Sequence, residues 1–149
     1  MSKLILCDID GTVADNSHRQ HFLEGKKDWE GFFSTLLQDE PIFPIINKVI
    51  QDHENGKKIV FLTGRPERYR DKTTEWLERL FEFKFELIMR KDNDQRHKLI
   101  VKEELFNSYV KEKSVYIVYE NDLELIKMWK SMGLKVYDVN LINRVNLIP

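Results

Sequence analysis

The sequence predicts an α/β fold with a doubly wound parallel sheet, because short apolar runs alternate with amphipathic helical patterns along the chain. The apolar runs are mostly β-branched or aromatic, which is typical of strands. Runs that stay apolar over several consecutive positions favour strands covered by helices on both faces. The five predicted strands are residues 3–7, 58–62, 85–89, 114–119 and 135–139.

Amphipathic helices are predicted between these strands. In residues 44–53 Ile45, Ile46 and Val49 share one stripe, and Gly56 follows as a stop signal. The same spacing recurs in residues 68–80, 98–110 and 123–132. Ligands of such folds bind beyond the carboxyl ends of the strands, so we expect functional side chains just after each strand.

Length and composition favour one domain over residues 1–149, since 149 residues with 42% hydrophobic content suffice for one core. A net charge of −1 excludes a broad basic face for long nucleic acid. One cysteine excludes an internal disulfide and Cys-based zinc modules, which favours a cytoplasmic protein. No apolar run is long enough for a membrane span. An oligomer is neither indicated nor excluded, and residues 140–149 are apolar enough to pack or to dimerise.

Two carboxylates, Asp8 and Asp10, follow the first predicted strand, and Gly11 permits a tight turn there. Neighbouring carboxylates repel each other unless a cation or a shared proton relieves them, so a Mg²⁺ ion is expected. Asp8 can then attack phosphorus, while Asp10 protonates the leaving oxygen and later activates water. The alternative is an Asp-rich turn that only closes a strand.

The next two strands are also followed by polar segments. Thr63 is predicted to donate its hydroxyl to a phosphate oxygen, the alternative being a helix cap. Residues 90–102 contain five cationic side chains, and Lys102 stands among apolar helix positions. Lys102, Arg90 and Arg96 are predicted to bind phosphate, whereas a bare charge run would be a solvated loop.

Acidic and amide groups follow the fourth predicted strand. Glu120 and Asn121 offer oxygen ligands that could complete a Mg²⁺ shell. The alternative is a helix N-cap, in which acidic residues interact favourably with the positive end of the helix dipole.

Taken in order, these segments resemble the haloacid dehalogenase (HAD) superfamily of phosphatases. DIDGT resembles its nucleophile motif, LTGR its phosphate-binding motif, and Lys102 its helix lysine, with an acidic metal motif after them. More narrowly, the chain is similar to the phosphatase domain of phage polynucleotide kinase/phosphatase, which removes 3′-phosphates from nucleic-acid ends and nucleotides. The segments that carry this similarity are DWEGFFSTLLQDEPI, VKEELF, KMWKSMGLKVYDV and the spacing of Arg90, Arg96 and Lys102.

This resemblance implies a HAD-like, Rossmann-like fold with at most a small helical flap, drawn from residues 14–41, instead of a cap domain. It further implies a Mg²⁺-dependent phosphomonoesterase with an aspartyl-phosphate intermediate, acting on a phosphorylated nucleotide or a nucleic-acid 3′ end. The implied catalytic residues are Asp8 as nucleophile, Asp10 as acid and base, Thr63 and Lys102. The implied phosphate-binding residues are Gly64, Arg65, Arg90 and Arg96, and the metal ligands are Asp8, Asp10, Glu120 and Asn121.

One departure from the family pattern is that relatives carry Asp-Asp where this chain has Glu120-Asn121. Glu reaches one methylene further and Asn brings no charge, which leaves metal affinity and full activity open. Two alternatives therefore stand beside the phosphatase: a general nucleotide or small-metabolite phosphatase, and a phosphate-binding module with weakened turnover. No G-x-x-x-x-G-K-[ST] motif occurs, so no 5′-kinase activity is expected.

Overall fold

The computed structural model describes residues 3–141, which contain seven strands and five α-helices. The strands are β1 (Leu4–Cys7), β2 (Ala14–Asp15), β3 (Glu40–Pro41), β4 (Lys58–Pro66), β5 (Glu86–Arg90), β6 (Val115–Glu120) and β7 (Val136–Asp138). The helices are α1 (Trp29–Ser34), α2 (Phe43–Glu54), α3 (Arg70–Glu78), α4 (Lys98–Tyr109) and α5 (Leu123–Ser131). The predicted C-terminal packing segment lies outside the described residues from position 142 onward.

Five strands form one parallel sheet in the order β5-β4-β1-β6-β7, which confirms the predicted doubly wound sheet. The strand β1 lies at its centre and is buried on both faces. Because side chains alternate along a strand, Ile5 and Cys7 enter one core with α2 and α3, whereas Leu4 and Leu6 enter a second core with α4 and α5. Helices on both faces explain why the strands are continuously apolar.

All five predicted strands of this sheet and the four predicted helices are present, but the predicted end of the second strand is wrong. Strand β4 continues beyond Leu62 to Pro66, so Thr63 lies inside the strand. The reason is that pairing with β5 continues, with Thr63 opposite Met89 and, after a register shift, Pro66 opposite Arg90. A run of apolar letters gives no sign of backbone pairing that extends past it.

Residues 14–41 form the predicted flap, a short segment beside the sheet. Its ends are joined by the antiparallel pair β2 and β3, and between them lie a 3₁₀ helix (Ser17–Leu23), α1 and a second 3₁₀ turn (Leu36–Gln38). Phe32, Phe33 and Leu36 are buried, while Trp29 is half exposed. Within residues 3–141, none of the helices has the length and apolar content needed to cross a membrane.

Candidate active site

A buried lysine lies between two carboxylates at the carboxyl end of the central sheet. Asp8 follows β1 directly, and the Lys102 Nζ atom on α4 donates a hydrogen bond of 2.8 Å to its Oδ1 atom. The same Nζ atom is 3.5 Å from Oε1 of Glu120, the last residue of β6. All three side chains are almost fully buried. Two strands and one helix therefore bring these three sequence-predicted residues together.

The two charge signs in this cluster shift each other's pKa values. Burial raises the pKa of Asp8 well above its ordinary value and the charge of Glu120 raises it further, while the Lys102 ammonium opposes both. Burial alone would lower the pKa of Lys102, but the carboxylates of Asp8 and Glu120 raise it above its ordinary value. Lys102 is therefore a firmly charged cation between the two carboxylates.

The Thr12 hydroxyl lies between a side-chain oxygen of Asp8 and one of Asn121. Its Oγ1 atom lies 3.3 Å from both Asp8 Oδ2 and Asn121 Oδ1. The Asn121 amide fits only because residue 11 is glycine, since a Cβ atom there would lie 2.2 Å from Asn121 Nδ2. Gly11 also adopts a φ of 80°, which other residues rarely do. The turn after β1 thus sets an Asp oxygen and an Asn oxygen side by side.

The Glu120 carboxylate is turned into the protein and is occupied there. Its Oε1 atom accepts a 3.1 Å hydrogen bond from Trp129 Nε1, and Oε2 accepts from the backbone amides of Asn121 and Asp122. These contacts hold Glu120 in place as the second anionic partner of Lys102. Among the described residues no group of three or more His, Cys, Asp or Glu side chains is arranged to hold a metal ion. The helix cap considered for this segment is Asp122, whose side chain accepts from the first amides of α5.

Asp10 belongs to a second, separate cluster that joins the flap to the sheet. Its carboxylate accepts hydrogen bonds from Arg65 Nε and Nη2 at 3.0 and 2.9 Å and from Arg19 Nη2 at 2.8 Å. Both guanidinium groups also donate to Asp39, whose side chain has no exposed surface. The Arg19 guanidinium additionally lies 4.2 Å from the ring centroid of Phe32. We call Asp10, Arg19, Asp39 and Arg65 the charge network.

The charge network holds Asp10 as an anion. Burial on its own would raise the pKa of the Asp10 carboxyl, but Arg65, assisted by Arg19, lowers this pKa to about 2. Asp10 is therefore deprotonated at neutral pH, and its low pKa makes it a weak base in this state.

Arg19 and Asp39 were missed by the sequence reasoning. Arg19 lies in a polar stretch of the flap with no clear periodicity, and nothing in the sequence signals that its guanidinium is fully buried. Asp39 lies within DWEGFFSTLLQDEPI, so the family resemblance contained a signal that could have found it. Arg65 was predicted to orient phosphate, yet its side chain is buried against Asp10 and Asp39.

The remaining predicted phosphate-binding residues lie along β4 and the segment after β5. Thr63 is buried next to Gly64, and Arg90 Nε donates to the Gly64 carbonyl at 2.9 Å. Arg90 Nη1 donates to the carbonyls of Asp94 and Arg96. Arg96 itself stands apart, because its exposed guanidinium is held by Asp94 at 2.8 Å and Glu104 at 2.7 Å. Arg90 is thus near Gly64, whereas the Arg96 guanidinium is ion-paired with Asp94 and Glu104.

A doubly wound sheet with the Asp-Ile-Asp-Gly-Thr turn after its central strand, and a buried lysine on the first aspartate, defines a phosphatase of the HAD type. Residues 2–143 match the family model described as the polynucleotide kinase PNKP phosphatase domain. The chain belongs to this family of HAD-type polynucleotide phosphatase domains and is a phosphoric-ester hydrolase.

Known relatives agree with this assignment. The chain is 29% identical over 135 residues to the "Putative bifunctional polynucleotide kinase/RNA ligase" of Autographa californica nuclear polyhedrosis virus, covering 89% of this chain but only 18% of that protein. A solved Pnkp1/Rnl/Hen1 complex superposes with a TM-score of 0.77 at 27% identity, covering 93% of this chain and 46% of that one.

A class C acid phosphatase from Bacillus anthracis superposes with a TM-score of 0.67 at 17% identity, over 92% of this chain and 65% of that one, and shows the shared fold. The chain thus spans less than half the length of the polynucleotide kinase relatives that it matches.

Proposed function

We propose that the protein removes 3′-phosphates from nucleotides or nucleic-acid ends in a Mg²⁺-dependent reaction that passes through a phosphorylated Asp8. The observation that carries this proposal is the 2.8 Å contact between Lys102 and Asp8 at the end of β1. It keeps a carboxylate and a cation together at the edge of the sheet where ligands of this fold bind. The 3′ preference rests on the family to which the chain belongs.

The proposed reaction has two displacement steps at phosphorus. In the first, an Asp8 oxygen forms a bond to phosphorus, the bond to the substrate's 3′ oxygen breaks, and Asp10 gives that oxygen a proton. In the second, Asp10 takes a proton from water, whose oxygen attacks phosphorus and releases inorganic phosphate and the Asp8 carboxylate. A pKa of about 2 keeps Asp10 ionised, so Asp10 must take up a proton from solvent before the first step. The negative charge of the bound phosphate raises its pKa and favours this uptake, and the same rise makes Asp10 a better base for the second step.

Thr63, Gly64 and Lys102 are proposed to hold the phosphoryl group. Thr63 and Gly64 supply a hydroxyl and an amide on β4, and Lys102 neutralises the charge that collects on the phosphoryl oxygens. The geometry supports different roles for the three arginines. Arg65 positions Asp10 through two hydrogen bonds. Arg90, which donates to the Gly64 carbonyl, is proposed to contact the substrate next to Gly64. Arg96 accepts a hydrogen bond from Arg90 at its backbone carbonyl and so helps to position it.

The donor set fits a hard divalent cation. Asp8 Oδ2 and Asn121 Oδ1 converge on one hydroxyl, and oxygen atoms of this kind are the ligands that Mg²⁺ prefers. We propose that these two atoms and the backbone carbonyl of Asp10 hold Mg²⁺, while Glu120 acts through Lys102. Bound there, Mg²⁺ would shield the negative charges of Asp8 and the phosphate from each other. We also propose that residues 1–149 form one domain of this kind.

A substrate panel tests the proposed function. We expect kcat/KM for phosphate release at fixed Mg²⁺ to be higher for deoxynucleoside 3′-phosphates than for their 5′-phosphates and for glycerol phosphate. Oligonucleotides should lose kcat/KM more steeply with salt than mononucleotides if polymer ends are gripped electrostatically. Equal rates on the 3′ and 5′ isomers, or faster release from glycerol phosphate, would favour a general small-molecule phosphatase instead.

Changing Asn121 to Asp tests the metal site. Because a carboxylate adds a negative charge to the ligands, we expect Asn121→Asp to bind Mg²⁺ about tenfold more tightly by isothermal titration calorimetry. Asn47→Asp, an equal change on the exposed side of α2, is the matched control and should bind like the wild type. Equal affinity of all three proteins would place the metal away from residue 121.

The uncharged Asn121 also favours a second candidate, a phosphate-binding module with weakened turnover. Turnover in Asn121→Asp beside an inactive wild type would support that candidate. A clearly active wild type would remove it.

A further inference from the structure

A groove with a volume of about 500 Å³ is lined in part by Gly64. One wall comes from the flap, with Trp29 and Phe33. The other comes from the end of β5 and the segment that follows it, with Arg90. We call this the aromatic groove. Gly64 is adjacent in sequence to Thr63, so the groove adjoins the proposed phosphate site, and its volume suits a ligand of nucleotide size.

The flap wall of the aromatic groove carries two stacked aromatic rings. Trp29 and Phe33 have ring centroids 6.1 Å apart at an interplanar angle of 22°. Behind them, outside the flap and the groove lining, Tyr69 stacks on Phe33 at 5.0 Å and 29°. Trp29 remains 48% exposed, whereas the chain's other tryptophans, Trp76 and Trp129, are 3% and 1% exposed. A rigidly backed, exposed indole is a surface on which a flat ring can stack.

The opposite wall carries positive charge that is not neutralised locally. Arg90 donates only to backbone carbonyl groups, and in the described part of the chain it forms no ion pair. The carboxylates that line the same wall are engaged: Asp94 is paired with Arg96, and Asp92 accepts a hydrogen bond from the Arg68 amide. An aromatic wall facing a guanidinium suits a nucleobase attached to an anionic sugar phosphate better than it suits an apolar peptide.

We propose that the aromatic groove binds the base of the nucleotide that carries the scissile 3′-phosphate, with this base stacked on Trp29 and Arg90 facing the sugar phosphate. This inference rests on the proposed function, and it adds a recognition site for the nucleoside to it. Because every base has an aromatic face, stacking of this kind predicts a requirement for a base with little preference for its identity.

The kinetic test compares two substrates in two proteins. We expect Trp29→Ala to lower kcat/KM by about 5- to 150-fold for an oligonucleotide with a 3′-terminal phosphorylated nucleotide. The same variant should hardly change kcat/KM for an oligonucleotide whose terminal phosphorylated residue is an abasic tetrahydrofuran. Trp29→Phe, which keeps an aromatic ring, should retain most of the rate. Tyr116→Ala removes another exposed aromatic ring, near the amino end of β6, and should leave both substrates unaffected.

Equal losses on the two substrates would overturn the proposal, because Trp29 would then only support the flap. No loss on either substrate would also overturn it. A wild type that releases phosphate from neither substrate would instead contradict the proposed function.

Tryptophan fluorescence provides a test that does not depend on turnover. Since Trp29 is the exposed tryptophan of the three, we expect a single-stranded oligonucleotide ending in a 3′-hydroxyl to quench the wild-type emission. The Trp29→Phe variant should show no quenching, and an oligonucleotide ending in an abasic residue should quench the wild type less. Equal quenching in the wild type and in Trp29→Phe would overturn the stacking assignment even if the protein hydrolyses 3′-phosphates.

Discussion

Replacing Asp8 by asparagine is expected to lower kcat for phosphate release by about 10⁴-fold or more, because an amide cannot form the aspartyl-phosphate. The near-identical shape of asparagine still offers Lys102 an oxygen, and Glu120 remains its anionic partner. The variant should therefore fold and lose only the covalent step. Acid quenching followed by mass spectrometry should detect phosphorylated protein in the wild type and none in Asp8→Asn.

Asp15→Asn is the matched control for this change. Asp15 is an exposed carboxylate in the same part of the chain, and its contacts are limited to the start of the neighbouring 3₁₀ helix. We expect its kcat to stay within about twofold of the wild type. If Asp8→Asn kept a tenth or more of the wild-type rate, the nucleophile would have to be another group.

Replacing Asp39 by asparagine is expected to lower the free energy of unfolding by about 3–5 kcal/mol, because it removes the charge shared by two buried arginines. Arg19 and Arg65 would keep only Asp10 as an anionic partner. Such a loss is a large share of the total stability of about 5–15 kcal/mol of a typical domain. Urea denaturation followed by circular dichroism measures it.

Glu75→Gln serves as the comparison for the loss of stability. Its carboxylate pairs with Arg79 at 3.7 Å on the exposed face of α3, where solvent screens the charges. We expect this change to cost less than about 1 kcal/mol. Equal losses in Glu75→Gln and Asp39→Asn would show that the charge network contributes no more than a surface pair.

The features that could be predicted from the sequence are those in which local pattern and tertiary structure agree. The continuous apolar runs predicted the strands, because helices on both faces bury them. Lys102 could be singled out because a charged residue interrupts an apolar helix stripe, and the structure directs its Nζ atom to Asp8. In both cases the local sequence pattern indicates which side chains are buried in the folded chain.

The features that could not be predicted depend on contacts between distant segments. The Asp39 carboxylate meets Arg65 across 26 positions of the chain, and only the packing of the flap on the sheet brings them together. The direction of Arg96 is decided by two carboxylates, Asp94 and Glu104, which both bind its guanidinium. The Glu120 carboxylate is of a kind that could bind a metal ion. Hydrogen bonds from Trp129 and from two backbone amides hold it in the protein interior instead, next to Lys102.

The buried arginines have a consequence for how substrates enter. Arg19 and Asp39 belong to the flap, whereas Asp10 lies in the turn after β1 and Arg65 in β4. Lifting the flap would therefore break two buried ion pairs at once, Arg19 with Asp10 and Arg65 with Asp39. Each such break costs several times the thermal energy. We therefore expect the flap to stay attached to the sheet during turnover, so that a substrate must fit the groove at the width these two ion pairs set.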